Sequence, residues 1–407
     1  MKKNKTHSFI SSLTLAALAL PGMMQNASAG RVEESYTGDV QYGNYTESNH
    51  RMEVDILETA LSAPIGKSMT ASVNLVRDTI TGASPRYTKP NAQGQTVQVL
   101  SGASIREKRD AISSNLTYFF DKAALGFGGG FSQENDYTSR YGNTNASIDL
   151  NNKLTTLNFG GSWAFDISEP TRQSIIEPID GIGDFKITKN RSKTSQQYLF
   201  GVSQVIDKDS VLQSNMTFGY QSGYLSDPYK LVYFSGDGNL SGLNPDSRPN
   251  EKFQWAWLTQ YVRHFQQLNS AALHADYRYY IDDWGINAHT MELSWHQPIV
   301  DNWQLIPRFR YYSQTQADFY QAVFDSDVLQ VATIYSSDYR MAGFGTLSGG
   351  IKLSKEFTKI KLISQMKFQT GIEYYDHKAN YQLGGNNAGS FNDFSYYMMT
   401  ASVNLKF

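Results

Sequence analysis

Side chains alternate between apolar and polar along most of this chain, and its last stretch shows the pattern most plainly. Tyr397, Met399, Ala401, Val403, Leu405 and Phe407 are apolar, while Tyr396, Thr400, Ser402, Asn404 and Lys406 are mostly polar, with Met398 the exception. Successive residues of a strand point to opposite faces, so one face of this segment meets an apolar medium and the other a wet one. The same period recurs upstream. Met69, Ala71, Val73 and Leu75 alternate with Thr70, Ser72 and Asn74, and Leu157, Phe159, Gly161, Trp163 and Phe165 alternate with Asn158 and Ser162. Leu212, Met216, Phe218 and Tyr220 oppose Gln213, Asn215, Thr217 and Gln221, and Leu362, Met366 and Phe368 oppose Lys361, Gln365, Lys367 and Gln369. Helical spacing does not produce such runs.

The pattern predicts about sixteen strands, at 32–45, 48–64, 67–80, 103–121, 123–138, 140–151, 154–167, 190–207, 209–222, 250–267, 269–282, 284–300, 302–318, 338–356, 359–378 and 391–407. The long connections fall near 81–102, 168–189, 223–249, 319–337 and 379–390, each after an odd-numbered strand. Connections after even strands are tight. A large soluble β-protein and a membrane barrel both fit the composition, but only an all-β, transmembrane, antiparallel up-and-down barrel requires this asymmetry of short turns at one end and long loops at the other. Loop 223–249, rich in glycine and proline, is the best candidate for an inserted plug. Trp255, Trp257, Tyr261, Tyr277, Tyr279, Trp295 and Trp303 fall on outward faces, where aromatic girdles form.

The N-terminal segment reads as an export signal. Lys2, Lys3 and Lys5 precede an apolar stretch from Phe9 to Met24, and Ala27-Ser28-Ala29 supplies small residues for cleavage. The expected organisation is therefore a cleaved signal peptide, 1–29, and one barrel domain, 30–407. That segment holds three of the 36 basic residues and none of the 38 acidic ones, so the remainder carries a formal charge of −5. No concentrated basic patch suggests a nucleic-acid partner. Cysteine is absent, which excludes disulfides, thiol chemistry and thiolate metal sites. The expected location is a Gram-negative outer membrane, with its lipid as one partner. A last strand ending on Phe407 resembles the signal read by the barrel-assembly machinery.

Charged residues concentrate on three consecutive strands. Opposite the aromatics lie His274, Asp276, Arg278 and Asp282, then Glu292 and His296, then Arg308 and Arg310. With Asp318 these are candidates for the lumen wall or a constriction. Three-residue loops at 282–284 and 300–302 would align His274, Glu292 and Arg310 in one row and predict a Glu292–Arg310 ion pair. Chemistry is weakly signalled. Asp282, Asp283 and His289 resemble residues of outer-membrane aspartyl-type proteases, but a second acidic pair is not evident, and no Ser/His/Asn set suggests a phospholipase. The histidines are scattered; His264 and His274 could meet across a hairpin, yet no metal site or cofactor is expected. The glycines near 126–130 and 343–350 lie within alternating strands with no helix to follow, so they are not phosphate loops.

Several segments together resemble one bacterial family, domain of unknown function 3570. They include Thr81-Gly82-Ala83-Ser84-Pro85, Glu134-Asn135-Asp136-Tyr137, Tyr224-Leu225-Ser226-Asp227-Pro228-Tyr229-Lys230, the Asp276 to Gly285 stretch, and Arg310-Tyr311-Tyr312-Ser313-Gln314. The resemblance implies an outer-membrane barrel with no assigned activity. It also implies an envelope redox or metal-linked setting with a periplasmic or lipoprotein partner. These segments sit mostly at outer strand ends, where Arg106, Arg109, Glu134, Asp136, Asp227, Arg248 and Asp283 are expected to tie the long loops into the mouth. The leading expectation is a passive or gated channel for a small solute. A non-conducting binding or scaffold barrel is the alternative, and a hydrolase a minor one.

Overall fold

The computed structural model describes residues 35–94, 96–100, 105–170, 191–235, 242–325, 333–360, 362–385 and 393–407, without the side chains of Ile105, Arg106 and Lys359. The expected signal segment lies outside the described residues, as does most of loop 168–189. The strands are β1 (Thr37–Glu47), β2 (Met52–Ile65), β3 (Met69–Gly82), β4 (Pro85–Pro90), β5 (Thr96–Leu100), β6 (Ile105–Phe119), β7 (Ala123–Gln133), β8 (Tyr137–Leu150), β9 (Thr155–Ser168), β10 (Arg191–Asp207), β11 (Ser210–Gly223), β12 (Leu231–Ser235), β13 (Gly242–Pro245), β14 (Glu251–Phe265), β15 (Ala271–Asp282), β16 (Asn287–Pro298), β17 (Trp303–Gln314), β18 (Phe324–Asp325), β19 (Phe344–Ile360), β20 (Ile363–Lys378) and β21 (Phe394–Lys406).

Sixteen of these close into one antiparallel barrel, each pairing with the next, and β21 pairs back onto β1. The sixteen predicted strands map onto them one for one. Closure leaves no sheet edge, the condition for a backbone that cannot hydrogen-bond to its surroundings. The outward face shows why those surroundings are hydrocarbon: Leu61 is 60% exposed, Phe127 58%, Phe309 52% and Ile351 52%. A continuous apolar belt of this kind does not persist in water.

At one end the turns are short, and residues that tolerate the left-handed region make them. Asp301 and Asn302 both have positive φ between paired strands, the primed-turn geometry whose twist matches a hairpin, and Asn151, Asn152 and Asn269 serve neighbouring turns in the same way. At the other end the loops fold over the barrel. β4 and β5 form a hairpin, and β13-β12-β18 a small sheet. Val232 and Phe234 are wholly buried there against Phe324. A second apolar cluster joins Trp284 and Ile286 of the β15–β16 turn to Ala317, Tyr320, Ala322, Ala342 and Phe344. The well-packed core of this protein therefore lies in its cap. Several predicted strands ran too far, among them β7, which ends at Gln133, not 138, and two that ran into the loop layer: β17 ends at Gln314, not 318, and β19 begins at Phe344, not 338. The residues removed from these two belong to the cap.

Candidate functional site

Register sets the inner wall. Between β16 and β17, Glu292 faces Arg310, as the 300–302 turn predicts. Between β15 and β16 the register differs from the expected one: Asp276, not His274, faces Glu292. The cause is local. Asp282 pairs with Ile286 across a loop of 283–285, and Gly285 takes φ +91°, a conformation glycine adopts freely at the last position of a three-residue hairpin loop. The Asp282 carboxylate locks this turn. It accepts the Trp284 and Ile286 N–H groups at 3.1 and 3.0 Å and pairs with Lys252 at 2.8 Å. Asp282 is thus a buried pin at the rim, not a lumen constriction.

Three transverse rows cross the wall. Nearest the cap lie Arg278, Thr290, Tyr312, Thr346 and His377. Next come Gln260, Asp276, Glu292, Arg310, Ser348, Tyr375 and Tyr396. The third holds His274, Ser294, Arg308, Gly350 and Glu373. The ion pair that forms is not the expected one. Glu292 binds Arg308, one row down, with Nε to Oε1 at 2.7 Å, while Nη1 of the same guanidinium reaches Glu373 at 2.6 Å. Arg308 wins because it can hold two carboxylates at once. Its neighbours Ser294 and Gly350 are small, and a Cβ on Gly350 would collide with Glu373 Cγ. Glu373 was legible, since the alternation of Gln365, Lys367 and Gln369 carries on to position 373. His274 stacks on His296 with ring centroids 4.2 Å apart and faces Val262 on β14, so it does not meet His264. His289 lies on the outward face bonded to the Tyr277 hydroxyl at 2.9 Å, away from Asp282. Asp283 accepts the Phe253 N–H at 3.0 Å. Asp318 belongs to the rim, with its N–H on the Trp284 carbonyl at 2.8 Å, and is not in the lumen.

The loop layer is held by a buried charge network. Arg248 bridges Asp246 and Asp338, each at 2.7 Å, and Arg340 binds Asp338 and Asp227. The Lys230 ammonium caps the Pro85 carbonyl and lies 5.5 Å from the Tyr339 ring centre. Burial alone would raise the Asp338 carboxyl, but Arg340, Lys230 and Arg248 hold it well below the usual carboxylate range. The network spans the mouth. Tyr224, three residues from Asp227, stacks under Arg191 of β10 at 4.1 Å, and Tyr339 packs on Phe394 of β21 at 5.8 Å. β10 and β21 are the eighth and sixteenth strands of the ring and so stand opposite each other. Of the expected mouth residues, Asp227 and Arg248 join this network directly. Arg109 instead pairs with Asp78 inside the wall at 2.7 Å, and Arg106 faces Thr81 on β3. Sequence reasoning missed Lys230, Asp246, Asp338 and Arg340.

Glu134 and Asp136 meet Glu107 of β6, with ligand-type oxygens all within 4.8 Å. Burial, then Glu107 and its other acidic neighbours, pushes Glu134 up to about 8 and Asp136 up to about 7. Glu107 lies one strand away in space but far in sequence, so no local spacing signals the trio.

Solved structures similar to this chain include CdiB from Acinetobacter baumannii, 9% identical over 92% of this chain, with a TM-score of 0.49. The chain spans about 60% of the length of that protein. A bacterial polysaccharide outer membrane secretin is 6% identical, covering 92% of this chain and 99% of its own, with a TM-score of 0.49. OccD3 (OpdP) of Pseudomonas aeruginosa is 10% identical over 93% of both chains, with a TM-score of 0.43. No curated protein matches the chain. The model of the family described as protein of unknown function, DUF3570, matches residues 10–398, and the chain, a sixteen-stranded β-barrel, belongs to that family.

Proposed function

We propose that the chain is an outer-membrane channel that passes a small solute and is restricted by its own loop layer. The observation that carries this reading is the contrast between faces: apolar side chains outside and, inside the same strands, rows of charged and hydrogen-bonding groups bracketed by Arg308. Barrels of this strand number leave an aqueous lumen, and opposed charges across a lumen set which solutes pass. In this reading the short turns face the periplasm, the cap faces outward, and the last strand ending in Phe407 is the segment that the assembly machinery engages.

One observation favours a second reading. The cap links opposite sides of the mouth through buried ion pairs and ring contacts, which suits a closed barrel that binds or scaffolds a partner. Liposome swelling separates the two. A channel predicts swelling in small sugars and amino acids that fades with solute size, whereas a scaffold predicts none. Absence of swelling from folded, inserted protein would overturn the channel reading.

A further inference from the structure

Among the described residues, the inner wall holds more guanidinium charge than its carboxylates use. Arg308 is consumed by Glu292 and Glu373. Arg278 and Arg310, in the two rows on the cap side of Arg308, form no ion pair and no hydrogen bond among the described residues; Arg278 only lies over the Tyr280 ring, 5.5 Å from its centre. Among the described residues, the one carboxylate of these rows that forms no ion pair is Asp276, and neither guanidinium reaches it. Asp282 is tied into the rim turn and to Lys252. Asp276 is turned toward β14, where Gln260 donates to it at 3.1 Å. Both Glu292 oxygens go to Arg308, and the second Glu373 oxygen accepts from the Tyr375 hydroxyl.

The two free guanidiniums share one surface. Arg278 lies in the same row as Tyr312, and Arg310 lies two residues before Tyr312 on the same face of β17. Ordinary strand spacing and rise put their backbones roughly 12 Å apart, close enough for two long side chains to converge on one small molecule. Tyr375 continues the wall in the Arg310 row and stacks on Tyr396 with centroids 4.4 Å apart. Unpaired arginines beside tyrosine rings offer forked hydrogen bonds for a carboxylate and flat apolar surface for the body that carries it.

We infer that Arg278 and Arg310, with Tyr312 and Tyr375, form a binding site inside the barrel for a small planar organic carboxylate. The inference rests on the channel reading for how such a solute arrives, but not for whether it binds. It is therefore tested first without any current. Fluorine NMR of 4-fluorobenzoate with the detergent-solubilised protein should show saturable binding, while neutral 4-fluorobenzamide should bind at least tenfold more weakly. The Arg278→Gln/Arg310→Gln variant should lose tenfold or more in benzoate affinity. The Arg278→Lys/Arg310→Lys variant, which keeps the charge without the fork, should lose less. Heat-modifiable electrophoretic migration confirms that each variant still folds as a barrel. Equal binding of acid and amide, or unchanged affinity in a folded glutamine variant, overturns the site. Binding with no swelling or current would sink the channel reading and leave the carboxylate site standing.

Discussion

Asp338→Ala should release the cap while leaving the barrel intact. Asp338 is 3% exposed, and its carboxylate serves Arg248 and Arg340 together. Removing it leaves Arg248, Arg340 and Lys230 in a dry layer with only Asp227 and Asp246 as counter-charges. Breaking a buried pair by deleting one partner costs about 3–5 kcal/mol, because the stranded charge cannot be rehydrated in place. At about 1.4 kcal/mol per tenfold, the closed-to-open ratio of the loop layer should fall by about a hundredfold or more. Limited proteolysis should then cut within 224–250 or 315–343, and unitary conductance in planar bilayers should rise severalfold. Barrel strands should keep their resistance to heat and detergent. Unchanged loop protection and conductance would mean that the network does not hold the cap.

The second large effect is electrostatic. Arg308→Ala strips one cation from the inner wall and exposes Glu292 and Glu373 to each other and to the solute path. The pair is partly wet, with Arg308 and Glu292 side chains each 23% exposed, so the stability cost should fall below that of a dry pair, at about 1–3 kcal/mol. Selectivity should move further. The reversal potential in a potassium chloride gradient should shift toward cation preference, because the wall then carries one positive charge fewer beside Glu292 and Glu373. Arg308→Lys should give an intermediate shift, since an ammonium lacks the fork that spans both acids. A reversal potential that stays put in Arg308→Ala would place this bracket off the conducting route.

Much of the barrel can be read from the sequence because each strand is a local object. Facing is decided residue by residue, so the run from Tyr397 to Phe407 and the run from Leu157 to Phe165 each declare their outward side without reference to anything else. Turns were nearly as legible. The loop falls at 283–285 and not at 282–284 because Gly285 takes the last loop position, a signal present in the Asp-Asp-Trp-Gly text. The cap was not legible for a different reason. Its partners come from separate loops: Lys230 meets Pro85, Thr88 meets Ala322, and Arg340 meets Asp227. No period links residues so far apart in the chain. The inner wall sits between these cases. Its rows follow from register, but the choice of Arg308 over Arg310 by Glu292 depends on Gly350 leaving room beside Glu373, a contact two strands away.

All of this requires that alternate side chains of each strand lie in acyl chains and in water. The chain has no cysteine, so single cysteines can be placed and spin-labelled cleanly along β21. Labels at 399, 401 and 403 should collide with dissolved oxygen in the bilayer, and labels at 400, 402 and 404 with a water-soluble nickel chelate, giving a two-residue oscillation in accessibility. Equal access of the nickel chelate at odd and even positions, in reconstituted and folded protein, would contradict the account.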